Sequence, residues 1–280
     1  MSRLPLYVTA QRWNTGLVDA LGGKADGVVL GDLFCQKRMF AGEWFDVEEL
    51  AGRARAAGLE VVFQTPMYNT PRDFEPTLAL VERLAGRGLV DAVMLHDVGV
   101  LAACAGLDAA LWWDRHGFNR DFVPSAPLLE FLRENGVARV EGLHPRHAVA
   151  IRAGGAEPLL YCFGPHVASF GRICYTEYFR NEPCGRKILC RDHRPAISST
   201  DRVHLEYVAD GYTLLDRADP DVRLARLQPA ERAALGGLTA YIRSPAEIEP
   251  LLALRDTLSR AGDGEDAPVA AGAHAHAARP

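Results

Sequence analysis

The sequence lacks most of the features that direct a protein to nucleic acid or into a membrane. Lysine is rare, since only Lys24, Lys37 and Lys187 occur among 280 residues, and the formal net charge is −5. A mildly acidic chain does not offer the broad basic surface that holds phosphate backbones, so we expect no nucleic acid partner. No apolar run reaches the roughly 20 residues that a transmembrane helix needs. The sequence therefore predicts no membrane span.

Signals for secretion and several familiar catalytic motifs are also missing. Met1–Pro5 leads directly into an apolar run, without the hydrophobic region and cleavage site of a secretory signal. We therefore expect a cytoplasmic protein, in which cysteines serve as metal ligands or buried thiols before they form disulfides. The chain contains no Gly-x-Ser-x-Gly elbow, no Walker phosphate loop and no His-Glu-x-x-His helix. Nothing thus indicates nucleophilic hydrolysis.

Short apolar runs alternate with helical stretches along most of the chain. Eight runs are rich in β-branched and apolar residues with little alternation, which is typical of strands buried on both faces. These predicted strands are Leu6–Ala10, Gly27–Gly31, Glu60–Thr65, Ala92–His96, Ala109–Trp113, Val137–Gly142, Pro158–Phe163 and Leu238–Arg243. The predicted helices are Phe45–Ala57, Glu75–Gly86, Ala126–Asn135 and Pro245–Arg260. The pattern predicts a TIM-barrel-like parallel α/β barrel, and the alternative, a doubly wound sheet, is disfavoured because no Gly-rich loop follows the first strand.

The stretch from about residue 164 to 218 interrupts this alternation. It contains three cysteines, and His204–Asp216 has the pattern of a β-hairpin with Asp210-Gly211 at its turn. We interpret the stretch as a cysteine-bearing insertion after the seventh strand. The barrel domain is predicted to cover residues 1–261. The tail 262–280 is mostly Ala, Gly, Asp and His, which cannot form an apolar core, so we expect it to be disordered.

Four cysteines indicate a metal cofactor. Cys174, Cys184 and Cys190 are separated by nine and five residues, and Cys35 lies far upstream, after the second predicted strand. Zinc sites with four cysteines usually contain ligand pairs about two to four residues apart, and no such pair occurs here. Iron–sulfur clusters accept irregular ligand spacing. The spacing therefore favours a 4Fe–4S cluster over zinc, with the four cysteines as ligands.

The barrel prediction brings these cysteines and several polar side chains to one rim, because the carboxyl ends of all parallel strands face the same way. Candidate catalytic residues at this rim are His96, His116, Asn119 and His166, and the histidines among them are suited to proton transfer. Other polar residues that follow predicted strands are Gln11, Arg12, Gln64, Asp97, Asp114, His144 and Arg146. Such a set of side chains is suited to binding a small organic substrate.

Some residues are assigned to the framework instead of the site. Cys104 lies in an Ala-rich predicted helix and Cys162 inside the seventh predicted strand, where a thiol packs as a small apolar group. Glu141 falls within the sixth predicted strand and His147 within the helix that follows it. Both are left out of the candidate site for that reason.

Three segments resemble a known family. The segment after the second strand of UbiV-like proteins, members of the collagenase-like peptidase family (unit U, clan thirty-two), is similar to Gly31-Asp32-Leu33-Phe34-Cys35-Gln36-Lys37-Arg38. In both, a basic pair follows the cysteine. The stretch before the first clustered cysteine of the wider family resembles Phe163–Cys174, and the closing strand and helix of the family are similar to Gly237–Pro245.

The resemblance implies a barrel-like domain whose four cysteines bind a 4Fe–4S cluster. It also implies oxygen-independent hydroxylation of an aromatic, ubiquinone-like precursor together with a UbiU-like partner protein. Other relatives hydroxylate RNA bases, so an oxygen-independent RNA-base hydroxylase is an alternative expectation. A non-enzymatic subunit with a purely structural metal is another. The peptidase activity in the family name lacks support from a nucleophile or a catalytic metal motif in this chain.

Overall fold

Eight parallel strands close into a barrel in the computed structural model of the chain. The structure describes residues 3–10, 15–31, 46–66, 71–114, 123–165, 167–170, 174–181, 183, 196–198, 206–210, 213–216, 227–242 and 244–260. The strands are β1 (Leu6–Thr9), β2 (Gly27–Gly31), β3 (Glu60–Gln64), β4 (Ala92–Leu95), β5 (Ala110–Trp113), β6 (Val137–Gly142), β7 (Glu157–Phe163), β8 (Val167–Phe170), β9 (Ala196–Ser198), β10 (Glu206–Asp210), β11 (Thr213–Asp216) and β12 (Gly237–Tyr241). The barrel order is β1-β12-β7-β6-β5-β4-β3-β2. The predicted TIM-barrel-like fold is confirmed.

Helices connect most of the barrel strands. They are α1 (Thr15–Leu21), α2 (Val47–Ala56), α3 (Pro71–Gly86), α4 (Val98–Ala103), α5 (Ala126–Glu134), α6 (Pro145–Ala153), α7 (Tyr175–Arg180), α8 (Pro229–Ala234) and α9 (Ile248–Arg260). Side-chain caps fix several of the ends: the Asp46 carboxylate accepts hydrogen bonds from two backbone N–H groups of α2, and Gly136 follows α5 at a φ of 78°. Within the described residues, no helix is both long and apolar enough to cross a membrane.

Apolar packing occurs on both faces of the barrel strands. Successive residues of a strand point to opposite faces, so Val28 and Leu30 belong to the core between strands and helices, whereas Val29 belongs to the interior. The interior cluster consists of Tyr7, Val29, Val62, Ala92, Met94, Trp112 and Leu159. Cys104 and Cys162 are both buried in the outer core, as predicted. Burial raises the pKa of the Cys104 thiol to about 11, so this thiol stays protonated.

A charged network closes the amino-terminal end of the barrel interior. Arg139 donates from Nε to Glu157 at 2.6 Å and from Nη1 to the Tyr7 hydroxyl at 2.6 Å. Its guanidinium also lies 4.7 Å from the centroid of the Trp112 ring and 3.5 Å from Glu60. The Tyr7 hydroxyl donates to Glu60 at 2.8 Å. Burial and the neighbouring Glu60 raise the pKa of Tyr7 far above its usual value, so the phenol stays neutral.

We expect Arg139→Met to lower the free energy of unfolding by about 2 kcal/mol, because Glu60 and Glu157 lose their shared, partly buried cation. Urea denaturation followed by circular dichroism measures the change. Arg133→Met, on the exposed surface of α5, is the matched control and should change stability by less than about 0.5 kcal/mol. Equal effects of the two substitutions would show that the network contributes no stability of its own.

The part of the chain described between β7 and β12 forms a separate antiparallel sheet of order β8-β11-β10-β9. Strands β10 and β11 pair antiparallel from Tyr207 opposite Asp216 to Asp210 opposite Thr213, so Asp210, which was expected at the turn, still belongs to the paired strand. Cys174 lies in this part of the chain, immediately before α7. Cys184 and Cys190 fall outside the described residues, as does the tail 262–280, so the cysteine-bearing insertion and the disordered tail stay predictions.

Candidate functional site

Polar side chains line the carboxyl-terminal half of the barrel interior. Gln64 ends β3 and Asp114 follows β5, and their side chains are 3% and 0% exposed. The Gln64 amide donates to the Asp114 carboxylate, and its nitrogen lies 3.4 Å from the sulfur of Met94 on the intervening strand β4. Both residues were expected at one rim, and the structure makes them direct neighbours although 50 positions separate them in the sequence. Gln64 thereby holds Asp114 as a hydrogen-bond acceptor inside the barrel.

A second buried carboxylate lies on β6, the barrel strand next to β5. The Thr239 hydroxyl on β12 donates to Glu141 on β6, and the two residues are 2% and 1% exposed. Glu141 is a strand residue, as predicted, but sequence analysis did not anticipate that its carboxylate would lie in the interior. A signal was present, because Arg139 and Glu141 repeat with a period of two in a strand that is otherwise apolar. Charged residues that alternate in a barrel strand face the interior together.

The two acids are suited to handling protons or orienting a bound molecule. A carboxylate in a fold's interior is costly unless hydrogen bonds compensate for lost water, and Gln64 and Thr239 supply such bonds. Both acids lie toward the carboxyl ends of their strands, where TIM barrels place reactive groups. Buried carboxylates beside a binding cavity are common as general acids and bases. The arrangement can therefore accept, hold or return a proton.

One of the four candidate catalytic residues, His96, lies within the described chain. His96 directly follows β4, is partly buried, and stands two positions beyond the interior residue Met94, so it continues the interior-facing row. Asp97 instead begins α4, where its carboxylate accepts hydrogen bonds from two backbone N–H groups. Outside the described residues lie His116, Asn119 and His166, together with Gln11 and Arg12.

His144, Arg146 and His147 form the start of α6. His144 Nδ1 accepts a hydrogen bond from the Arg146 backbone N–H at 3.3 Å, which caps the helix. The His147 ring is fully buried, and its centroid lies 6.0 Å from that of His144. Burial, together with the charges of His144 and Arg146, lowers the pKa of His147 to about 4. The framework assignment of His147 agrees with this packing.

His147 should make the fold less stable below neutral pH. Its pKa falls from about 6.5 in the unfolded chain to about 4 in the fold, so only the unfolded state binds the proton between these values. The free energy of unfolding should therefore rise with pH from 4 to 6.5 by up to about 3 kcal/mol from this group, and stay constant above. Urea titrations across this range measure the slope.

His147→Leu should remove most of that slope, since leucine fills similar volume without a titrating group. His144→Gln is the comparison variant: it also removes a histidine whose pKa is lowered by burial, but His144 is only partly buried, so the slope should fall less than in His147→Leu. An unchanged slope in His147→Leu would show that another group governs the acid sensitivity.

Cys174 is the one predicted cluster ligand within the described residues. Its thiol is 5% exposed and forms no disulfide, and the neighbouring Thr176 is fully buried. Cys35, Cys184 and Cys190 lie outside the described part of the chain. Among the residues that are described, no three His, Cys, Asp or Glu side chains are grouped as a metal site. The 4Fe–4S site therefore stays a prediction at this point.

Solved structures of other proteins share the barrel. Tryptophan synthase from M. tuberculosis, in an aminoacrylate- and BRD0059-bound form, is similar with a TM-score of 0.50 and 12% identity over 93% of this chain and 92% of that one. Type I 3-dehydroquinate dehydratase from Clostridium difficile matches with a TM-score of 0.38 and 13% identity over 57% of this chain and 75% of that one. No family model and no curated protein sequence matches the chain. The similarity shows the fold alone.

Proposed function

We propose that the protein is an enzyme whose active site is the carboxyl-terminal mouth of the barrel. The observation that carries this proposal is the presence of two buried interior acids, Asp114 and Glu141, each held by a neutral donor. Buried acids are expensive for a fold, and they are retained most often where a bound molecule needs a proton acceptor. A barrel interior with buried polar side chains toward its carboxyl-terminal end is suited to a small organic substrate.

The finer part of the proposal is the reaction itself: oxygen-independent hydroxylation of an aromatic, ubiquinone-like precursor in the cytoplasm, with a UbiU-like partner protein. It rests on the resemblance of the sequence to UbiV-like proteins and on the set Cys35, Cys174, Cys184 and Cys190. In this proposal the four cysteines hold a 4Fe–4S cluster. Such a cluster supplies one-electron transfer.

The barrel is compatible with these cysteines meeting at one mouth. Strands β2 and β7 end at the same rim and are separated by β1 and β12 in the barrel order. Cys35 lies four residues beyond the end of β2 in sequence, and four residues of fully extended chain span at most about 13 Å. Cys174 supplies a buried thiol outside any disulfide, as a cluster ligand requires. These observations fit the proposed ligand set.

The chain's own residues have distinct roles in this proposal. Asp114 accepts a proton from the substrate or from water, and Gln64 fixes the direction of its carboxylate by donating to it. Glu141, oriented by Thr239, is the second acceptor. His96 extends the polar lining toward the rim, where an imidazole ring is suited to take part in proton transfer. Burial of the acids keeps bulk water from competing for these hydrogen bonds.

Anaerobic purification tests the finer proposal. We expect a brown protein with about four iron and four sulfide per chain, an electron paramagnetic resonance signal after reduction, and product formation with a UbiU-like partner. A colourless zinc protein would overturn the hydroxylase proposal. The broader proposal, that the barrel mouth is an active site, would then be tested by the Asp114 variants. Tight retention of RNA would favour the RNA-base hydroxylase instead.

A further inference from the structure

The chain leaves β7 through an unusual backbone. Pairing of β12 with β7 shifts register between Thr239 and Ala240, which face Tyr161 and Phe163 and leave Cys162 as the extra residue of a β-bulge. Gly164 follows at a φ of 115°. A Cβ atom at Gly164 would lie 2.5 Å from the Tyr161 hydroxyl and 2.5 Å from the backbone oxygen of Tyr241. Only glycine fits, because both the φ angle and the space exclude a side chain.

The same backbone turns inward, over the barrel. Tyr161 pairs with Thr239 and alternates with the interior residue Leu159, so its ring faces the interior. Its hydroxyl, in turn, donates to the carbonyl of Pro165 at 2.8 Å. Pro165 is buried, although it lies beyond the end of the strand. The carbonyl of Pro165 therefore stands above the barrel interior instead of the helix layer.

We infer that Gly164 and Pro165 form a strap across part of the barrel mouth, and that Tyr161 and Gly164 are positioning residues for the antiparallel sheet and for Cys174. Strand β8 begins at Val167, only two positions after Pro165. The strap therefore fixes the direction in which β8 starts. Cys174 follows β8 by four residues. The strap thus sets where this thiol stands relative to the mouth that contains Asp114. The part that concerns Cys174 rests on the proposed function.

The strap itself can be tested without any cofactor, by hydrogen exchange and mass spectrometry of the protein as purified. Gly164→Ala should displace the strap, and amides of β8 and β11 should exchange at least tenfold faster than in the parent protein. Tyr161→Phe removes the hydrogen bond to the carbonyl of Pro165 and should accelerate the same amides by a smaller factor. Amides of β3 and β4, on the far side of the barrel, should be unchanged in both.

Gly136→Ala is the matched control. Gly136 also has a positive φ, 78°, but a Cβ atom there would have no neighbour within 4 Å. This variant should leave β8 and β11 unchanged. The inference is overturned if exchange of β8 and β11 is unchanged in Tyr161→Phe and Gly164→Ala, or if it rises equally in Gly136→Ala. Should Gly164→Ala fail to fold, Tyr161→Phe decides alone.

A cluster signal distinguishes positioning of Cys174 from a general role in folding. In iron-loaded protein, Tyr161→Phe should change the shape of the electron paramagnetic resonance signal of the reduced cluster. The circular dichroism spectrum of the protein should stay the same, because the barrel remains folded. An unchanged line shape beside faster exchange in β8 would overturn the role toward Cys174. Parent protein without iron would refute the proposed hydroxylase, whereas the exchange measurement would still decide whether the strap exists.

Discussion

Cys174→Ser should reduce the iron content of anaerobically purified protein at least about fivefold and abolish the brown colour. A 4Fe–4S cluster needs four thiolates, and a serine oxygen is a poor replacement for a buried thiolate ligand. Cys174 is 5% exposed, so the replacement also leaves a hydroxyl in a site shaped for sulfur. Iron and sulfide assays with visible absorption measure the loss. The barrel should remain folded, because Cys174 lies outside the eight barrel strands.

Cys162→Ala is the matched control for this experiment. Cys162 lies in β7, twelve positions before Cys174, and is 1% exposed in the outer core. Its replacement should lower stability slightly through lost packing and leave iron bound. The shared cluster is refuted if Cys174→Ser retains the iron of the parent protein, or if both substitutions lose it equally.

Asp114→Asn should lower the turnover number of the reconstituted enzyme by about 10²- to 10⁴-fold, the usual contribution of a general acid or base. The fold should be unaffected, because an asparagine carbonyl can still accept the hydrogen bond from Gln64. The change removes the negative charge and the capacity to hold a proton, and alters little else. Mass spectrometry of the hydroxylated product, with turnover number and KM determined separately, measures the effect.

Asp108→Asn is the matched control for the catalytic acid. Asp108 precedes β5 at the opposite end of the strand and is exposed to solvent, so its neutralisation should leave turnover unchanged. Glu141→Gln should lower turnover in the same way as Asp114→Asn if both acids act on the substrate. Retention of more than about half the turnover by Asp114→Asn would contradict a proton-transfer role at this position.

Local sequence patterns predicted the barrel strands closely. Val137–Gly142 and Gly27–Gly31 have the predicted bounds, and the last strand, Gly237–Tyr241, differs by at most two residues at each end. Apolar, β-branched runs between helices form strands regardless of which other strands they pair with. Their positions can therefore be predicted from the local sequence alone. The helix α3 begins at Pro71, four residues before its predicted start, because proline fits a first helical turn that needs no N–H group.

The candidate site was only partly predictable. Gln64 and Asp114 were expected at one rim because parallel strands all end on the same side, and the structure joins them. The pairing of Glu141 with Thr239 was not expected, since it spans 98 positions and depends on which side of each strand faces the interior. That side is set by strand register and tilt, which come from closing the whole barrel.

The sequence by itself determined the alternation of strands and helices, the hairpin of β10 and β11, and the burial of Cys104 and Cys162. These features depend on residue types and their spacing within a short stretch of sequence. Such a pattern determines the local backbone conformation and which residues are buried. Tertiary structure alone decided which acids enter the interior and that Gly164 packs closely against Tyr161 and the backbone of Tyr241. Both depend on distances between strands far apart in sequence, which exist only once the barrel has closed.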